Sequence, residues 1–248
     1  MQRRLDRNLF APTLDATGMP IFPRTRPNPA IGPLSINEST AKSRYDAVVT
    51  SLQARYGRLN AQVAYTLSWN KDDDSNERTF NRETALNPLD VAPEYTWSKE
   101  DARHIVTMSG VADLPWGVAF GVVLLARSAL PYTAVIGADT QNDGNDVNDR
   151  AIIDGHVSAR NAFRQPSFFD LDLRLVKGIH LGRSNRIDLI AELFNATGAG
   201  NKGFGNDAVS TFGTPQAPSA TAGQPLFAPT TARYGGPRQL QLGARFAF

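Results

Sequence analysis

Cysteine is absent from this 248-residue chain. Disulfides, thiolate metal sites and cysteine nucleophiles are thereby excluded. Histidine is scarce: the three present, His104, His156 and His180, stand at no HExxH or other ligand spacing. Neither charge dominates. Lys and Arg total 26 against 24 Asp and Glu, a net charge of +2, too balanced for a protein that holds nucleic acid by bulk charge. Long hydrophobic runs are also missing. The most apolar stretch, 114–126, is interrupted by Pro115 and Gly117, whereas a spanning helix needs about 20 apolar residues. The opening MQRRLDRNLF carries charge with no apolar core behind it and is read as lacking a signal peptide. There is no GxSxG or P-loop frame, and GAGNKG at 198–203, though it spells GxGxxG, opens no helical pattern. The glycines of GAG (198–200) and GFG (203–205) are therefore read as loop residues, and no enzyme is expected.

What the sequence has in quantity is alternation. In 59–70, Leu59, Ala61, Val63, Tyr65, Leu67 and Trp69 alternate with Asn60, Gln62, Ala64, Thr66, Ser68 and Asn70. Strict period two marks a strand with unlike faces. The pattern recurs in 43–56, 103–114, 118–127, 168–181, 185–195 and 237–248. Seven strands of roughly ten to fourteen residues exceed the usual 5–6 of globular proteins and match the 9–11 or more needed to cross a bilayer.

The connections alternate as strictly as the residues. Gly57-Arg58, Pro115-Trp116-Gly117 and Gly182-Arg183-Ser184 are short; 71–102, 128–167 and 196–236 are long. Outer-membrane barrels pair short periplasmic turns with long extracellular loops. The expected fold is all-β: an antiparallel up-and-down transmembrane β-barrel sector, open if isolated, with a periplasmic C-terminus. Residues 1–42 would be an extracellular loop or a remnant of an upstream barrel, their prolines arguing against a strand, and 43–248 the C-terminal barrel sector. Bacterial single-chain barrels have even strand numbers, so an odd count points to missing N-terminal strands.

The polar stripes carry Asp170, Asp172, Arg174, Arg186, Asp188 and Glu192, which belong in a watery lumen. The turn near Arg183 sets Arg174 opposite Glu192, predicting a structural charge pair. Lys177 interrupts an apolar stripe near a turn, where a long cation can reach the interface. Tyr56, Trp116 and Phe248 sit where an aromatic girdle would.

In order along the chain, SRYDAVVTSLQARYG (43–57), AYTLSWNKDDD (64–74), EDARHIVTMSGVADLPWG (100–117), LPYT (130–133), DGNDVNDRA (143–151), ARNAFRQPSFFDLDLRLVKGI (159–179), DLIAELFNATGAGN (188–201) and RQLQLGARFAF (238–248) resemble the C-terminal third of TonB-dependent outer-membrane transporters, specifically the Oar-like branch. The resemblance implies a 22-stranded barrel with an N-terminal plug, neither the plug nor the earlier strands being in this sequence. It implies uptake of a scarce substrate driven by the TonB complex through that plug. It also implies a C-terminal signal, Phe246 and Phe248, read by the barrel-assembly machinery. The remaining implied partner is the lipid bilayer. Two other readings stand beside transport: a small structural or adhesive barrel displaying loops, and a soluble carbohydrate-binding β-sandwich.

The densest oxygen-donor cluster is DTQNDGNDVNDR, 139–150. Asp139, Gln141, Asp143 and Gly144 imitate positions 1, 3, 5 and 6 of an EF-hand loop, but Arg150 occupies position 12, where a bidentate carboxylate is required. Two readings remain: a looser calcium site of Asp139, Asp143, Asp146 and Asp149, or, as the default, an Asx-rich turn. No other cofactor is expected. The acidic run Asp72-Asp73-Asp74 reads as a solvated loop tip.

Overall fold

The computed structural model describes residues 3–75, 85–182, 185–201, 209–211 and 236–248. Seven long strands dominate: β1 (Ser43–Tyr56), β2 (Leu59–Asp72), β3 (His104–Leu114), β4 (Val118–Arg127), β5 (Phe168–His180), β6 (Arg186–Phe194) and β7 (Gln239–Ala247). Each pairs antiparallel with its neighbour in sequence, giving the meander β1-β2-β3-β4-β5-β6-β7. The strands coincide with the alternating stretches because a one-residue slip would carry every side chain to the opposite face.

The register sorts the residues into two unlike surfaces. One row across five strands reads Leu52, Val63, Met108, Leu124, Leu171. The adjacent row, pointing the other way, reads Gln53, Gln62, Ser109, Val123, Asp172. The apolar surface lies uncovered: Leu52 is 68% exposed and Leu242 72%. A sandwich needs a second sheet on that surface, and among the described residues none covers it. The two edge strands, β1 and β7, are not paired with each other, so the sheet stays open.

The turns follow the hairpin rules. Between β1 and β2 the positive φ of 55° falls on Gly57, the first of two turn residues, where a II′ turn takes glycine. Between β3 and β4, Gly117 has φ 70°, and a Cβ there would lie 3.1 Å from the Gly178 carbonyl oxygen.

Among the described residues, every buried apolar side chain lies outside the seven strands. Leu5, Leu9, Met19 and Phe22 come from the first 42 residues, Ala85 and Ala102 from the β2–β3 loop, and Tyr132, Ala134, Val135, Ile136 and Ala151 from the β4–β5 loop. These segments gather into one cap at the loop end of the sheet. Within it are short pairings: Arg3–Asp6 with Ser35–Glu38, Thr13–Leu14 with Pro20–Ile21, and Pro131–Val135 with Phe163–Arg164 and Val209–Thr211. The prolines of 1–42, which argue against a strand in the sequence, do not prevent short ones. They keep them to four residues or fewer, and Pro20 opens one, a position that tolerates it.

Candidate functional site

The concave surface of the sheet is its polar one. It encloses a hollow of ≈ 830 Å³ lined by Gln53, Arg55, Gln62, Ser109, Asp172 and Arg174, among others. Alternation in sequence places these side chains, and sheet curvature turns them towards one another. Arg174 and Glu192 are register partners, with 3.2 Å between Nη1 and Oε1. Arg174 is 53% exposed, so solvent screens the pair. Arg174→Ala is expected to change stability by less than about 1 kcal/mol, read as the melting temperature of the folded barrel. A shift of many degrees would assign the pair a larger structural role.

A tighter cluster sits nearer the turn end, and no sequence pattern singled it out. Asp188 is buried between Arg186 (2.5 Å) and Arg245 (2.6 Å). Gly178 makes room for it: a Cβ there would meet Arg186 Nη2 at 2.8 Å. The only signal was parity, since Asp188 and Arg245 become neighbours once β6 and β7 pair. Lys177, on the apolar surface, donates from Nζ to the Trp116 carbonyl at the turn. Phe246 and Phe248 stack with centroids 5.9 Å apart at the end of β7.

The cap is held by buried charge. Glu94 accepts from Leu86 N through Oε1 (2.9 Å) and from Arg150 Nη2 through Oε2. Arg160 donates from Nε to the Glu94 carbonyl (3.0 Å), from Nη1 to Ser75 Oγ (3.0 Å) and from Nη2 to Asp72 Oδ1 (2.6 Å). Burial pushes the Arg150 guanidinium below its ordinary value, and the Glu94 charge offsets only part of that. Arg164 reaches Asp101 at 2.8 Å, and Asp101 Oδ1 accepts from Asn70 N of β2. Arg3 pairs with Asp73 at 2.8 Å. Asp72 and Asp73 are thus buried ion-pair partners rather than a solvated loop tip. β2 runs on to Asp72, and arginines from two other segments fold onto it.

Within the β4–β5 loop, Asp139, Asp143 and Asp149 come together, with one carboxylate oxygen of each inside 4.8 Å of the others. Asp146 stays exposed and outside the group. Burial, with the nearby Asp149 and Asp139 charges adding to it, pushes Asp143 up to about 6 against hydrogen bonds from Asn148 and Asn145 N. Asp149 is raised for the same chief reason, burial. His104 hydrogen-bonds Tyr65 through Nδ1 (2.8 Å) on the apolar surface. The glycines of 203–205 and most of the 196–236 loop fall outside the described residues.

The profile of the family described as an outer membrane beta barrel domain matches residues 1–154. That span covers the first 42 residues, β1 to β4 and the acidic turn. No curated protein matches the chain.

Proposed function

The chain belongs to the outer membrane β-barrel domain family, and from that premise we propose that it forms one sector of a TonB-dependent transporter that takes up a scarce substrate. Membership makes lipid the solvent of the uncovered apolar surface, which resolves the otherwise unaccountable exposure of Leu52 and Leu242. The stripe on β2 from Leu59 to Trp69 is roughly 33 Å long at about 3.3 Å per residue. Tilted by about 40°, it spans the ~25 Å apolar band of such barrels. The polar hollow is then lumen.

The observation that carries transport is the cap. Three chain segments, 1–42, the β2–β3 loop and the β4–β5 loop, are joined by buried ion pairs at the loop end of the sheet. A wall that only displayed loops has no need to tie them together there. On this reading the cap is extracellular, the short turns and Phe248 are periplasmic, and selectivity lies in cap and lumen side chains. The wall performs no covalent chemistry. Edges β1 and β7 each leave a row of backbone groups that lipid cannot satisfy, so further strands complete the barrel, and the Oar-like resemblance implies a plug within the ring. The resemblance to Oar-like transporters supplies the TonB-driven part of the proposal.

The test is fractionation of the native producer. An antibody to the cap is expected to mark a heat-modifiable outer-membrane band well above the 27.0 kDa of this chain, retained on a column of the periplasmic domain of TonB. A heat-modifiable band at the chain's own mass would overturn the sector reading in favour of a small closed barrel. A large band that the column does not retain would overturn energised transport. Deleting Phe248 is expected to lower the folded outer-membrane level of the same band several-fold, and an unchanged level would remove its role as an assembly signal.

A further inference from the structure

We propose that Asp139, Asp143 and Asp149, completed by the side-chain oxygen of Gln141, bind one calcium ion that fastens the β4–β5 loop to the 1–42 segment. The carboxylate oxygens lie within 4.8 Å of one another. Calcium holds oxygens at about 2.4 Å, so donors sharing one ion stand at most about 4.8 Å apart, and all three pairs meet that limit.

An independent observation points to the same place. Gln141 Oε1, Asn148 Oδ1 and Asp149 Oδ2 are buried and accept no hydrogen bond, and Gln141 and Asp149 are wholly buried. Leaving one such oxygen unsatisfied costs about 1–3 kcal/mol. The Gln141 amide already points at the cluster, with Nε2 3.0 Å from Asp143 Oδ2. A half-turn of the amide exchanges nitrogen for oxygen and puts a neutral donor atom there. Neighbouring oxygens around a calcium ion sit about 3 Å apart, so the spacing suits. Asn148 is different: its Nδ2 is held by both Asp143 Oδ2 (2.7 Å) and the Ala85 carbonyl (3.0 Å). It therefore stays in place and orients Asp143.

The carboxylates are already aimed. Asp149 Oδ1 accepts from Thr140 N (2.7 Å) and Gln141 N (2.9 Å), which leaves Oδ2 for the ion. Asp139 Oδ2 accepts from Gly144 N at 3.0 Å. Among the described residues no salt bridge reaches these three side chains. Arg26, which touches this turn, pairs with Asp6 at 2.6 Å and takes only the carbonyl of Asp143 at 2.7 Å. A water could satisfy an orphaned oxygen, but it would leave three like charges uncompensated. Calcium fits better than magnesium because the donors are irregularly placed, and magnesium demands a near-ideal octahedron.

The ion would act beyond its own turn. Phe22 N donates to the Gln141 carbonyl (2.7 Å), and Arg26 donates to the Asp143 carbonyl. Ordering 139–149 therefore orders the docking surface of 1–42. The proposal does not depend on what the barrel transports.

The experiment is calorimetric titration of calcium chloride into the intact barrel, purified in detergent free of lipopolysaccharide and stripped with EDTA. One ion per chain is expected, with a dissociation constant on the order of 0.1–1 mM, the range of extracellular modules. Asp149→Asn and, in case that variant fails to fold, the exposed-site variant Asp139→Asn are each expected to weaken binding at least about tenfold. Asp146→Asn, outside the cluster, is expected to bind as the parent does. Calcium is also expected to slow proteolysis of the cap in the parent and not in Asp139→Asn. No saturable binding to the folded parent up to about 10 mM, binding lost equally in Asp146→Asn, or magnesium binding as tightly as calcium would each overturn the assignment.

Discussion

Glu94→Gln is expected to open the cap while leaving the barrel wall folded. The carboxylate is 2% exposed and the Arg150 side chain 3%. Removing the negative charge leaves a buried guanidinium whose Nε already lacks a partner. Breaking one member of a buried pair typically costs about 3–5 kcal/mol, because the other charge stays out of water uncompensated. Arg160 still holds Asp72, so the loss is local to the contact between the β2–β3 and β4–β5 loops. On intact cells, cleavage of the cap by added protease should rise on the order of 100-fold or more, in proportion to the open population. The heat-modifiable shift of the wall should persist. Removing both charges with Glu94→Leu and Arg150→Met should recover much of the protection, since an apolar pair of similar volume is often neutral or stabilising. Unchanged protease resistance in Glu94→Gln would show that apolar residues such as Phe22 and Ala134, and not the ion pairs, hold the cap.

The second large effect separates the two surfaces of one strand. Leu124 and Val123 are adjacent in β4 but point to opposite sides. Leu124 lies in the apolar row with Met108 and Leu171, and Val123 in the polar row with Ser109 and Asp172. An arginine at 124 would face hydrocarbon near mid-membrane, at a cost of about 2–4 kcal/mol. An arginine at 123 would face the lumen beside Asp172 and should cost little. Folding into lipid vesicles, followed by the heat-modifiable fraction of the intact barrel, should fall steeply for Leu124→Arg and barely for Val123→Arg. Equal effects, or the reverse order, would mean that the surfaces have been assigned to the wrong solvents. The pair tests face assignment rather than strand propensity, because the substituted residue type and the strand are the same.

The strands were legible because a single physical constraint acts on every residue in them. A strand with lipid on one side and water on the other is driven to alternate along its whole length. Accordingly β1 and β4 begin and end where the alternation does. Even β4, whose polar surface is poor, is placed by its short turn to β3. The Arg174–Glu192 pairing was legible for the same reason: a short turn fixes register, and register fixes opposites. The cap was not legible. Its contacts join residues far apart in sequence, Arg3 with Asp73 and Arg160 with Asp72, and no periodicity announces such pairs. The run at 72–74 reads locally as a solvated tip because nothing local states that two arginines will close over it. Asp146 reads locally as the equal of Asp139, Asp143 and Asp149, and only the path of the turn excludes it.

Sequence alone therefore determined the strands, their order, their two surfaces and the placement of every long loop at one end, since alternation and turn length are properties of neighbouring residues. Tertiary structure alone decided that the buried apolar core lies in the cap and not in the sheet, that charge is what joins the loops, and which three of four aspartates meet. Those outcomes depend on how distant segments fold onto one another, where the desolvation of each charge must be matched by a particular partner.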